Sequence, residues 1–331
     1  MHYKISYTYP NKRLIDINFT VKISGNKDVI LYLPTWRPGR YELQHYARNV
    51  VKFTAKNDTG KILKYQKLSN NCWSIQPEGS AIVNVSYSYH CQQMDAGGSW
   101  LDENLIYLNF INFLMWHEDA YHDECTVELL IPEDYKIACG LPLINRVITA
   151  NDFFHLADSP LIASKELHTH TYHISDTTFF IHFYGVKPEF AAIENDFKRF
   201  SETQLQVFGS FPEKAYHFLN IILPYPFYHG VEHRNSTVIV LGPVEDFDSG
   251  SFYNRLLGIS SHELFHTWNI CKIRPLEMFP YDLKKENYFP TGFVAEGVTT
   301  YYGDLMLARA GVWDFETYFR ELSDNLQKHM S

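Results

Sequence analysis

Runs in the first half of the 331-residue chain place apolar residues at every second position, and that period points this half to β structure. Ile15-Asp16-Ile17-Asn18-Phe19-Thr20-Val21-Lys22-Ile23 alternates strictly, and alternation is visible again in Ala81-Ile82-Val83-Asn84-Val85-Ser86-Tyr87-Ser88-Tyr89, from Val83 on. Shorter runs, Val29 to Leu33 and Thr126 to Ile131, stop at Pro34 and Pro132. Strands of this kind, punctuated by Gly, Pro and Asn/Asp, predict antiparallel sheets stacked like a sandwich over residues 1–170. The 23 Tyr and 24 Phe agree with this, since large rings suit a pleated, half-buried surface.

The pattern changes after the His-rich stretch His168 to His173. A strand-like run, Thr178 to Tyr184, precedes Gly185. Pro188 then opens a helical period with Phe190, Ile193, Phe197, Phe200, Leu205 and Phe208 on one face. Strand signals return at Ala215 to Leu223 and Ser236 to Leu241. Two further helices are predicted, over Tyr253 to Trp268 and Gly292 to Ala310. The chain therefore reads as an α+β multidomain protein, with a β-domain over 1–170 and a mixed α/β domain over 171–331.

Charge and composition narrow the function. A net charge of −9 and a pI near 6.0 leave no electrostatic footprint for nucleic acid. No run approaches the roughly 18–20 apolar residues of a membrane span. The first residues lack the basic and apolar regions of a secretory signal, so a cytoplasmic location is expected. Five scattered cysteines without a C-x-x-C fit a reducing compartment and argue against cysteine-bound zinc.

The chemistry is concentrated in His262-Glu263-Leu264-Phe265-His266. On a helix, residues four apart share a face, so His262 and His266 can reach one ion. Glu263 lies beside that face, placed to serve as a general base rather than as a ligand. Glu296, on the following predicted helix, supplies a third donor. Burial there, expected from the apolar neighbours including Phe293, is costly for an acid unless it is paired or metal-bound. Two His, one Glu and an open position describe a catalytic zinc site rather than a closed structural one. Cobalt or nickel suits the same donors. Two other His clusters, His117 with His122 and His168 with His170, read instead as a polar loop and a solvated strand.

With Glu296-Gly297-x-Thr299-x-Tyr301 after it, the His262 motif resembles the gluzincin metallopeptidases, and within them the glycyl aminopeptidase family. Leu33-Pro34-Thr35-Trp36-Arg37-Pro38-Gly39-Arg40-Tyr41, Ala47-Arg48-Asn49-Val50 and Gly230-Val231-Glu232-His233-Arg234-Asn235-Ser236-Thr237 carry the likeness further, from about residue 30 to 315. The resemblance implies a thermolysin-like zinc domain after the β-domain, and removal of N-terminal Gly or Ala from peptides. It also implies zinc on His262, His266 and Glu296, Glu263 as base, and Glu232 as receptor for the substrate's α-amino group. In that family a helical region and often a PDZ-like module follow, the former contributing a transition-state tyrosine. The chain is accordingly expected to be either a fragment of such an enzyme or a shortened relative of it, with Tyr301 and Tyr302 poorly placed to substitute. A zinc endopeptidase and a non-catalytic, zinc-stabilised peptide-binding module stand as alternatives.

Overall fold

A computed structural model describes residues 1–25 and 27–330, which divide into two compact units. The first comprises Met1–Lys165 together with Tyr281–Asn287. The alternating runs form a seven-stranded sheet in the order Leu143–Ile144, Val147–Ala150, Cys125–Leu130, His2–Ser6, Leu14–Lys22, Ile82–His90, Val50–Asn57. Two four-stranded sheets accompany it, and the inward side chains of all three share one core. The expected all-antiparallel arrangement is not met. His2–Ser6 runs parallel to Cys125–Leu130, with His2 opposite Thr126. The two strands are far apart in sequence, which frees them from the hairpin geometry that imposes antiparallel pairing.

Leu283 is buried in this first core although it lies more than a hundred residues beyond the rest of the unit. Its carbonyl accepts the Thr35 backbone N–H at 2.8 Å, and Trp36 packs on Tyr281 with ring centroids 5.4 Å apart.

The second unit, Glu166–Pro280 with Tyr288–Ser331, holds a mixed sheet. Its elements are β1 (His168–Ile174), β2 (Thr177–Tyr184), α1 (Phe190–Phe208), β3 (Ala215–Ile222), β4 (Phe227–Glu232), β5 (Ser236–Gly242), α2 (Gly250–Phe265), α3 (Thr299–Arg309) and α4 (Phe315–Met330). The strand order is β1-β2-β3-β5-β4, parallel through β2, β3 and β5, with antiparallel β1 and β4 at the edges.

The period-two run of β2 sends Phe179, Ile181 and Phe183 to one face, where Tyr216 and Phe218 of β3 join them. Helix α1 covers that face with Ile193, Phe197 and Phe200; Phe197 meets Phe218 edge-on at 4.9 Å. Gly209 ends the helix in the left-handed region, φ 80°, donating its N–H to the Leu205 carbonyl at 2.7 Å. Between α1 and α2, the buried Gln204 amide donates to the carbonyl and hydroxyl of Ser261. The helices behind the sheet are therefore held by a specific polar contact as well as by rings.

On β2 and β3 two imidazoles meet. His182 Nε2 lies 3.1 Å from His217 Nδ1, and His182 Nδ1 lies 2.9 Å from the Thr169 hydroxyl. Burial depresses both, taking His217 down to about 4 and His182 well below its usual value. Both rings are thus neutral when folded, whereas the unfolded chain takes up protons below about pH 6.5. Protons then favour the unfolded state, so stability is full above that pH and declines toward pH 4. Between pH 7.5 and 5 the His217 contribution alone should fall by about 1–2 kcal/mol. Urea midpoints of wild type and His217→Phe should diverge over this window, the variant being less sensitive; parallel curves would contradict the assignment.

Candidate metal centre

Helix α2 starts where the Ser249 hydroxyl accepts the Phe252 N–H, capping a first turn that lacks internal partners. Its apolar flank, including Phe252, Leu256, Leu257 and Leu264, is fixed in the core of the unit. His262 and Glu263 project from the last turn, and His266 stands at the residue where the helix gives way to turns. The second contributor is different in kind from the simple α-helix expected. Phe293–Val298 forms wider π turns before α3 begins, and Glu296 sits within them.

The two helices approach closely because residue 303 is glycine. A Cβ there would lie 3.0 Å from His262 Cα, and the Ser261 hydroxyl donates to the Gly303 carbonyl at 2.7 Å. The Glu296 carboxylate thereby comes 3.6 Å from His262 Nε2 and 3.5 Å from His266 Nε2, while the two imidazole nitrogens are 3.0 Å apart. Bonds of about 2.0–2.1 Å to a tetrahedral ion imply donor separations of about 3.3–3.4 Å. The three measured edges bracket that value.

The donor chemistry fits as well. The Asn269 carbonyl can only accept, and it lies 2.8 Å from His266 Nδ1. That nitrogen therefore carries a proton, which leaves Nε2 as the atom that faces His262 and Glu296 and could take up a metal. Asn269 does more through its side chain, donating to the Val294 carbonyl at 2.8 Å and to the Thr299 hydroxyl at 2.9 Å. One residue thus orients His266 and grips the turns that carry Glu296. Contrary to expectation, Glu296 is not sealed between helices: its side chain is 44% exposed, and Phe293 points outward. The wide turns bring the carboxylate to the histidines from the solvent side.

Glu263 and Glu232 are both 5% exposed. Glu232 ends the edge strand β4, opposite Thr237, before the chain reverses through His233 to Asn235. Its carboxylate, that of Glu263 and a nitrogen of His266 all lie within 4.8 Å of one another. Glu263 Oε2 is buried without a hydrogen-bond partner, and Oε1 rests against the β4 backbone at Gly230. A Cβ on Gly230 would overlap that oxygen, so any larger residue there would force the Glu263 side chain to shift.

Burial drives the Glu263 carboxyl well above its ordinary range, with Glu232 and Glu296 adding to the rise. Burial also disfavours a charged His266, yet Glu232, Glu296 and Glu263 outweigh it and push this imidazole up to about 10. Burial likewise penalises a charged Glu296, but hydrogen bonds from His262 and His266 overcome this and hold it well below the usual carboxylate range. His262 is lowered, by burial first. The acidic side chains crowd two imidazoles, and the His262–His266–Glu296 donor set fits a divalent cation.

His262 and Glu263 line a cavity of about 930 Å³ that Tyr228, Asp304 and Trp313 help to wall. Among the described residues, groups of three metal-capable donors occur only as His262–His266–Glu296 and Glu232–Glu263–His266. In the His-rich strand, His170 contacts Glu194 instead, and His117 contacts the Ile30 carbonyl. The motif alone pointed to neither Asn269 nor the tight spacing at Gly230 and Gly303.

The second unit thus sets a buried acid beside a His–His–Glu donor set. Two family models match the chain: the Peptidase M61 N-terminal domain over residues 2–165, and M61 glycyl aminopeptidase over residues 255–331. The chain belongs to the M61 peptidase family. The crystal structure of an aminopeptidase N family protein from Idiomarina loihiensis shares the fold, with a TM-score of 0.89 and 24% identity. That match covers 96% of this chain and 56% of the other, so the chain spans little more than half of that protein's length. A search of curated proteins found no match.

Replacing Asn269 by Ala keeps the carbonyl that orients His266 but releases the turns bearing Glu296. Zinc affinity, measured by competition with a chromophoric chelator, should fall about 10–100-fold. Unchanged affinity would show that Asn269 does not support the centre.

Proposed function

We propose that this chain forms the catalytic part of a zinc-dependent aminopeptidase that removes small N-terminal residues, glycine and alanine foremost, from peptides. In this reading the second unit is a thermolysin-like zinc domain, the first a β-sandwich-like accompanying domain, and a peptide the substrate. The observation that carries it is the juxtaposition of the buried Glu232 carboxylate with Glu263 and His266, all within 4.8 Å. An endopeptidase substrate brings no α-ammonium group to the cleavage site. An aminopeptidase needs an acid to receive the free α-ammonium group. The family's description as glycyl aminopeptidases supports the preference for small residues.

His262, His266 and Glu296 would hold the metal, with Asn269 fixing the tautomer of His266. Zinc, when bound, supplies Lewis acidity and brings the ionisation of water down to about pH 7. Glu263 then has one task, taking the proton of the attacking water and returning it to the leaving amine. Its confinement against Gly230 restricts where that proton can go. Glu232 pairs with the substrate's ammonium through a charge-assisted hydrogen bond and fixes the first peptide bond over the base. Holding the substrate by its end converts general hydrolysis into removal of one residue.

Glu263→Gln is expected to retain the metal and to lose at least ~100-fold in kcat on glycine and alanine anilides, measured on the full-length enzyme. A variant with wild-type turnover would refute the base. Glu232→Ala separates the second role: free-amine substrates should suffer far more than their N-acetylated counterparts. Equal losses on both would remove Glu232 from amine recognition and favour the endopeptidase alternative.

A further inference from the structure

The first unit holds a cavity of its own, about 550 Å³, walled by four separate segments around Thr35, Arg48, Asn70 and Lys284. That volume falls within the roughly 300–1,000 Å³ of small-molecule sites. The chain as a whole is acidic, yet no Asp or Glu lines this cavity, whereas Arg48, Lys67 and Lys284 all do. Arg48 belongs to the Ala47-Arg48-Asn49-Val50 segment, to which the peptidase reading gives no task.

The three cations are not equivalent. Lys284 is neutralised by Glu118 at 2.9 Å and lies 5.1 Å from the centre of the Tyr32 ring. Arg48 and Lys67 have no salt-bridge partner among the described residues. Lys67 instead holds its ammonium 4.8 Å over the Trp73 ring, a contact that fixes its position without cancelling its charge. Glu42, the acid nearest to Arg48 in the chain on the N-terminal side, is engaged elsewhere: it accepts from the Gln44 amide at 3.3 Å and faces Arg40 at 3.9 Å. The frame around the cations is fixed by hydrogen bonds. The Asn71 amide donates to the Leu33 carbonyl at 3.2 Å, and the Gln44 N–H donates to the Thr35 carbonyl at 2.7 Å.

Two uncompensated cations, one of them a guanidinium fork, match a phosphoryl group with its charge of about −1.5 to −2 better than a carboxylate's single charge. Leu43 and Ala47 add apolar surface to the same wall, which a bare inorganic ion would not use. We infer that this cavity binds a small phosphate monoester, with the phosphoryl group on Arg48 and Lys67 and the organic part against Leu43 and Ala47. The site lies wholly within the first unit, and no step of the proposed hydrolysis passes through it.

The test is calorimetric titration of the zinc-loaded full-length protein with phenyl phosphate, benzoate and inorganic phosphate. Phenyl phosphate should bind at a single site, and more tightly than either of the others. Arg48→Gln and Lys67→Gln should each weaken it at least ~10-fold, the scale of one charged hydrogen bond. Both side chains are exposed, so zinc content and thermal midpoint should stay as in the wild type. Absence of phenyl phosphate binding overturns the site. Binding unchanged in both variants places the phosphate elsewhere, on the metal for example, and overturns it equally. Benzoate bound as tightly as phenyl phosphate refutes the phosphoryl assignment, and inorganic phosphate bound as tightly refutes the ester.

Discussion

The close contact of α3 with α2 at Gly303 is the constraint on which the centre depends. Two histidines on one helical face can present nitrogens to a common point, but the third donor must arrive from a separate segment about thirty residues later. Glycine at 303 lets the backbones meet beside His262, and the Ser261 hydroxyl pins the contact by bonding the Gly303 carbonyl. The donor separations of 3.0–3.6 Å follow from that approach. A side chain at 303 would move α3 by a few tenths of an ångström at least, comparable to the tolerance of a metal–ligand bond.

Buried polar contacts then give the helices a single arrangement. Gln204 reaches Ser261 from α1, Ser261 reaches Gly303, and Asn269 joins the end of α2 to the turns preceding α3. Each of these groups would be costly to leave unmade in the interior, so slipping one helix along another breaks several at once. Aromatic packing behind the sheet supplies cohesion without such directionality. The charge balance at the centre works in the opposite sense: Glu232, Glu263 and Glu296 crowd two imidazoles, which raises the Glu263 carboxyl and the His266 imidazole together. Polar order and electrostatic tension are both built from residues of one unit.

Much of this was legible from residue order. His262 and His266 announce themselves because four residues is nearly one helical turn, and the alternation at Ile15 to Ile23 and Ala81 to Tyr89 becomes paired strands of one sheet. Helix α1 ends at Gly209 much as its Gly-Pro context predicts. Other features depend on proximity that no local pattern encodes. The parallel pairing of His2–Ser6 with Cys125–Leu130 joins segments more than a hundred residues apart. The π turns at Phe293–Val298 have the same apolar and polar residues as an ordinary helix, so periodicity alone cannot show that they widen, nor that Phe293 faces out. Asn269 resembles any turn residue until its carbonyl and amide are seen engaged on opposite sides.

Leu283 has a consequence for how the chain can be divided. The segment Tyr281–Asn287 leaves the second unit, completes the first with a buried leucine and a backbone partner for Thr35, and returns. Cutting after Lys165 would not yield a self-sufficient β-domain, because its core would lack a piece supplied from a distant loop. The loop between the histidines of α2 and Glu296 is consequently also a structural component of a unit that holds none of these three residues.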